Sequence, residues 1–227
     1  MPSSEVPTLK EKVRLAARKF ARVTTAHTPM LFPTYSAKVA ARIERYKDNN
    51  RYVALALALQ RIEQEQIPGA FAEIGVYRGE TSAFLHAQSP ARKLYLFDTF
   101  QGFDPRDLDG RQDPRFRDTS QEQVAAFIGN TTNIIFRKGY FPDTARGLEA
   151  ETFAFVMLDV DLYLPALAVF DFFYPRLVRG GYFFMHDYNS PESDYAIKRA
   201  CTEFMRDKPE LVLDLPDLFG SAVFRKI

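Results

Sequence analysis

Phe71-Ala-Glu-Ile-Gly-Val-Tyr-Arg-Gly-Glu-Thr-Ser82 is the stretch on which the reading of this chain turns. An apolar run stops on Glu73-Ile-Gly75, the chain turns through Gly79, and Thr81-Ser-Ala-Phe-Leu-His86 begins a helix. Strand, glycine turn and helix together read as half of a nucleotide site. A second short apolar run ends on Asp98, 23 positions after Gly75. That is close to the spacing at which a doubly wound α/β fold sets a carboxylate against ribose hydroxyls.

Glu73 bears on which nucleotide is meant. A dinucleotide fold presses backbone N–H groups of the turn onto a pyrophosphate, so its fingerprint is G-x-G-x-x-G, and a carboxylate two residues ahead repels that ligand. Here the pattern is E-x-G-x-x-x-G. A carboxylate in that place suits a ligand with positive charge, such as the ammonium and sulfonium of S-adenosylmethionine, with Asp98 left to the ribose. The plainer alternative is a tight turn at Gly75 and Gly79 with Glu73 solvated. An NAD-linked oxidoreductase is disfavoured by the missing third glycine.

Outward from this stretch, 227 residues with 46% hydrophobic content suffice for one substantial core,. The expected division is an N-terminal helical extension over 1–66 and one domain over 67–227. Thirty basic and 29 acidic residues give a net charge of +1, which argues against nucleic acid as a partner. The single cysteine, Cys201, allows no intrachain disulfide and reads as a packing residue,. The N-terminus lacks the apolar core of a secretory signal, and the apolar run 52–59 is too short for a membrane span. The expectation is a cytoplasmic protein without a membrane span.

Residues 9–22 are basic and amphipathic, a helix for docking on the core or a partner subunit, with an anionic membrane surface as the alternative. Residues 24–33 read as a loop. Helices are expected over 36–47 and 50–66, and their apolar faces make a homodimer plausible. Beyond the first strand, turn and helix, strands are expected over 91–97, 133–138, 153–159 and 182–185, with 211–213 and 221–226 as a closing pair. Helices are expected over 121–128, 162–178 and 194–207. Residues 104–120 are too polar for core and read as an exposed loop or lid. The sum is an α/β fold: a mainly parallel, seven-stranded, Rossmann-like sheet with helices on both faces and ligands at the carboxyl ends of its strands.

Those ends collect Glu73, Asp98, the Gly139 loop, Asp159, Asp161, His186 and Asp187. In Asp159-Val-Asp161 two carboxylates can share a pocket, one holding a divalent cation and the other accepting a proton from a hydroxyl. Asp159, His186 and Asp187 are the candidate metal ligands, and Asp161 and His186 the candidate catalytic residues. Helix capping by Asp161 is the alternative for that residue. His186 reads equally as ligand, general base, hydrogen-bond partner of a ligand, or structural histidine.

At these residues the chain resembles the macrocin O-methyltransferase (TylF/MycF-like) family. The blocks are Glu73-Ile-Gly-Val-Tyr-Arg-Gly79, Phe97-Asp-Thr-Phe-Gln-Gly-Phe103, Asp118-Thr-Ser120, Lys138-Gly-Tyr-Phe-Pro-Asp-Thr144, Asp159-Val-Asp-Leu-Tyr163, Phe173-Tyr-Pro-Arg-Leu177 with Gly180-Gly181, and Asp187-Tyr188. The resemblance implies a class I methyltransferase fold and methyl transfer from S-adenosylmethionine to a hydroxyl of a sugar or glycosylated natural-product acceptor. It also implies frequent help from Mg²⁺ or another divalent metal. It places Glu73, Gly75, Tyr77 and Asp98 on cofactor positions, Asp159 on a metal ligand and Asp161 on the base. The full candidate cofactor set adds Gly79, Thr81, Ser82, Thr99, Ser120, Gly139 and Asp159. One departure stands out: metal-binding members carry Asp-Asp-Tyr where this chain has His186-Asp187-Tyr188, and imidazole prefers softer ions than Mg²⁺. A methyltransferase fold retained for binding without catalysis is the remaining alternative.

Overall fold

The computed structural model describes residues 35–227 except Asp109, so the expected helix over 9–22 and loop over 24–33 lie outside the described residues. Two compact units divide between Lys47 and Asp48. In the first, a short helix α1 (Ala37–Ile43) is capped by Ser36, whose hydroxyl accepts from the Val39 amide.

The second unit carries everything else. Asp48 caps α2 (Asn49–Gln64) through the Arg51 amide, and β1 (Ala70–Ile74) follows. Then come α3 (Glu80–Gln88), β2 (Leu94–Asp98), α4 (Gln121–Ile128), β3 (Ile134–Lys138), β4 (Phe153–Leu158) and α5 (Tyr163–Phe173). The chain ends with β5 (Leu177–Met185), α6 (Ala196–Phe204), β6 (Leu213–Asp214) and β7 (Ala222–Arg225). The seven strands lie in the order β3-β2-β1-β4-β5-β7-β6. β1 to β5 run parallel, and β7 is antiparallel to both of its neighbours.

β1 and β4 are buried along their whole length, which is why they read as continuous apolar runs rather than alternating ones. On one face, Ala166, Val169, Phe170 and Phe173 of α5 pack into a core shared with Val156, Leu158, Phe183 and Met185. Phe173 sits at its centre, 4.8 Å from the Phe153 ring and 5.8 Å from that of Phe97. This packing fixes the strands, and so their tips, against one another.

The two largest departures from the expected bounds are in the fifth helix and the fifth strand. The helix expected over 162–178 ends at Phe173, where Tyr174-Pro-Arg176 tightens into a 3-10 turn, because proline cannot donate the next helical hydrogen bond. β5 begins at Leu177 and runs through Gly180-Gly181 rather than after them. The Gly180 amide donates to Lys226 O at 2.8 Å and the Lys226 amide to Gly181 O at 2.9 Å. This long-range pairing overrides the local glycine signal for a break. Among the described residues no helix is long and apolar enough to cross a membrane.

Candidate active site

The parallel register lines up four strand tips. Beyond the last paired residues, the Gly75 amide donates to Phe97 O, the Asp159 amide to Ile74 O and the His186 amide to Leu158 O, at 2.9, 2.8 and 2.9 Å. Gly139 joins the row by donating to Asp98 O at 2.9 Å. Asp98, Gly75, Asp159 and His186, far apart in sequence, therefore share one edge, the carboxyl end of the sheet.

Gly75 holds the centre. At φ +88° it is in the left-handed region, and a Cβ added there would sit 1.8 Å from Asp159 O. No side chain fits between the two tips, so the turn after β1 and the acidic cluster after β4 touch through backbone. Gly79, at φ +80°, then starts α3 with no side chain capping its N-terminus.

Asp98 organises the turn. One of its carboxylate oxygens accepts from the Val76 and Tyr77 amides at 2.7 and 2.9 Å, and the other from the Phe100 amide at 2.6 Å. A carboxylate has about four acceptor positions, so the second oxygen retains capacity for a ribose hydroxyl. Thr99 builds the adjoining turn, donating to Gly102 O and accepting from the Gln101 amide. Ser120 caps α4 through the Gln123 amide. The Tyr77 hydroxyl donates to Asp118 at 3.0 Å, Arg78 pairs with the same carboxylate, and Thr119 donates to Tyr77 O. The end of the 104–120 loop is thus pinned to the turn after β1. Tyr77, Pro114, Arg115, Phe116, Arg117 and Asp118 line an open cleft of about 480 Å³ there.

Glu73 is not solvated. It is 1% exposed and accepts a hydrogen bond from the Ser82 hydroxyl. Burial pushes its carboxyl up to about 8, with the Asp159 and Asp98 charges adding to the rise and Ser82 and Arg51 opposing it. An acid whose folded value lies above its ordinary one binds more protons folded than unfolded between the two values. The ligand-free protein therefore loses stability through this residue as pH rises from about 4.5 towards 8, by up to about 1.4 kcal/mol per pH unit. Glu73→Gln is expected to remove that slope, so that the melting temperature of the variant gains on wild type between pH 5 and pH 8. Parallel curves in paired thermal scans would show that Glu73 is ionised in the folded protein throughout.

The three metal candidates meet. One ligand atom from each of Asp159, His186 and Asp187 lies within 4.8 Å of the others, and His186 Nδ1 is 3.0 Å from Asp159 Oδ1 and 2.9 Å from Asp187 Oδ2. Burial pulls the His186 ring towards neutrality, but the Asp159 charge and hydrogen bonds to both carboxylates outweigh it and hold it up at about 10. In this arrangement Nδ1 is engaged in hydrogen bonds with both carboxylates rather than turned to a metal. The set also lacks the oxygen-rich shell that Mg²⁺ demands, so the residues present do not fit Mg²⁺. Asp161 stands beside them at φ +60°. It does not cap α5, whose N-cap is Leu162 with no side-chain hydrogen bond. Burial first, then the charges of Asp159 and Asp187, push its carboxyl up to about 7 against the pull of Arg115.

Three residues of this region carried no local signal. Arg51 is only 9% exposed and interacts electrostatically with Asp159. Phe219 places its ring 5.1 Å from that of His186, and Arg115 faces Asp161.

A five-strand parallel sheet closed by an antiparallel β7, with its polar residues gathered at the carboxyl tips around a glycine turn, is the class I methyltransferase fold. The O-methyltransferase NovP superposes with a TM-score of 0.66 at 20% identity, covering 89% of this chain and 93% of that one. The chain belongs to the macrocin-O-methyltransferase (TylF) family, which matches residues 47–226. Two relatives are each 27% identical. The 8-demethyl-8-(2,3-dimethoxy-alpha-L-rhamnosyl)-tetracenomycin-C 4'-O-methyltransferase of Streptomyces olivaceus matches over 152 residues, 59% of this chain and 58% of the relative. The mycinamicin III 3''-O-methyltransferase of Micromonospora griseorubida matches over 154 residues, 59% and 61%. The chain thus spans about three-fifths of the length of these curated relatives.

Proposed function

We propose that this protein is an S-adenosylmethionine-dependent O-methyltransferase acting on a hydroxyl of a sugar or glycosylated natural product. The observation that carries the reading is the backbone contact of Gly75 with Asp159, which sets the cofactor turn directly beside the acidic cluster. The cofactor, when bound, supplies a methyl group activated by its sulfonium. Asp98 fixes the turn and keeps an acceptor position for the ribose, and Glu73 offers a negative charge to the cofactor's ammonium once that cation compensates its burial.

The acceptor hydroxyl is a weak nucleophile at neutral pH. Asp161, drawn up to about 7, is matched to taking its proton as the O–C bond forms and the C–S bond breaks, giving a methyl ether and S-adenosylhomocysteine. His186, held between Asp159 and Asp187 and raised well above its ordinary value by them, supplies positive charge to the cluster. The acceptor lies on the side of the 104–120 loop, where the relatives' glycosylated substrates suggest a saccharide.

Calorimetric titration with S-adenosylhomocysteine, followed by transfer of labelled methyl to a panel of rhamnosyl glycosides, tests the reading. Binding with transfer is expected, and absence of any binding heat would end it in favour of a non-catalytic fold or a nicotinamide enzyme. Transfer is expected to survive EDTA within about twofold, because a protonated imidazole already balances the carboxylates. A loss restored by Mn²⁺ or Zn²⁺ would support the second reading favoured by the one-nitrogen, two-oxygen cluster, a borderline divalent metal.

A further inference from the structure

Among the described residues Arg51 is the only arginine or lysine whose residue is at least nine-tenths buried. A buried guanidinium is costly unless paired, yet no carboxylate of the described residues forms an ion pair with it. Its Nη2 donates to the Tyr52 hydroxyl at 3.2 Å, its Nε donates to nothing, and its carbon lies 4.9 Å from the Tyr52 ring centre and 6.0 Å from that of Phe219. The Tyr52 hydroxyl is in turn 3.4 Å from Thr81 Oγ1. Thr81 stands in the first turn of α3, a nine-residue helix with no side-chain cap, whose first amides therefore keep unused donors. The run Arg51–Tyr52–Thr81 thus carries donors and positive charge to the start of α3, and Glu73 adds a carboxylate close enough to feel the Arg51 charge.

An anionic group beside a cationic one is the chemistry of a zwitterion. We propose that Arg51, with Thr81 and the N-terminus of α3, binds the α-carboxylate of the cofactor's amino-acid end while its ammonium faces Glu73. The proposal rests on the cofactor reading above and adds a residue to it. Arginine suits the task because its planar fork meets a carboxylate through two parallel hydrogen bonds, and burial keeps water from competing. Binding also adds a direct, hydrogen-bonded counter-charge to the more distant pull of Asp159 and Asp48.

The test is a pair of calorimetric titrations, with S-adenosylhomocysteine and with its decarboxylated analogue, against wild type, Arg51→Gln and Arg51→Lys. Wild type is expected to prefer S-adenosylhomocysteine by about 10–100-fold, the range of a charge-assisted hydrogen bond. Arg51→Gln is expected to lose that preference while binding the analogue within about threefold of wild type, and Arg51→Lys to keep part of it. Equal weakening of both ligands in Arg51→Gln would assign the residue a structural role and overturn the proposal. Because that variant can fail to fold, the wild-type comparison stands alone: equal affinity for the two ligands overturns the proposal with no mutation. In either of those outcomes S-adenosylhomocysteine still binds wild type, so the cofactor reading survives; if wild type binds neither, both fall together.

Discussion

Asp161→Asn is expected to lower turnover by about 10²–10⁴-fold, the usual worth of a positioned general base, while S-adenosylhomocysteine affinity stays within about threefold. The amide keeps the size of the side chain and its φ of +60°, since asparagine tolerates the left-handed region as well as aspartate does. It cannot take a proton. Wild-type activity is expected to rise with pH through about 7, where Asp161 deprotonates, and the variant's residual activity to lack that rise. Towards pH 10 the profile is expected to fall again as His186 gives up the proton it shares with Asp159 and Asp187. His186 has a folded value above its ordinary one, so its stabilisation is complete below about 6.5 and disappears as pH climbs through 10. Single-turnover rates across pH 5.5–10.5 check both limbs. An Asp161→Asn enzyme with wild-type turnover would move the base elsewhere.

Asp98→Ala is expected to weaken S-adenosylhomocysteine binding by at least about 100-fold, with a smaller loss of thermal stability. Three backbone amides, of Val76, Tyr77 and Phe100, lose their acceptor at once, and each partly buried amide left without a partner costs about 1–3 kcal/mol. Tyr77 and Phe100 hold positive φ values of +49° and +54°, a strained geometry that these contacts maintain. Once they go, the turn relaxes and the ribose partner is lost in the same substitution. Calorimetry on a variant shown folded by circular dichroism separates this loss from unfolding. Undiminished affinity would mean that Asp98 serves neither the turn nor the ribose.

β1, β2 and β4 were readable because each is a short apolar run ended by a polar or glycine residue, a pattern that a parallel sheet buried on both faces imposes. The 104–120 loop was readable from its charge. The bounds of β5 were not, because the Gly180–Lys226 and Gly181–Lys226 hydrogen bonds join segments distant in sequence, and local glycine signals cannot register them. Of the candidate cofactor residues, Thr99 also builds a turn and Ser120 also caps a helix, contacts that only the folded chain displays. Glu73 was read with solvation as the alternative, whereas it lies inside, against Ser82.

Periodicity, glycine placement and the motifs from Glu73 to Tyr188 determined by themselves the α/β class and the family, and pointed to the strand tips as the candidate site. Only the tertiary structure decided the surroundings that set the charge states. Whether Glu73 is neutral, whether His186 is a cation and whether Asp161 is poised near 7 depend on distances between residues from different strands and on how much water each one loses. Arg51 became visible for the same reason: its neighbours Thr81, Asp159 and Phe219 are brought to it by the fold, and nothing in the sequence around position 51 names them.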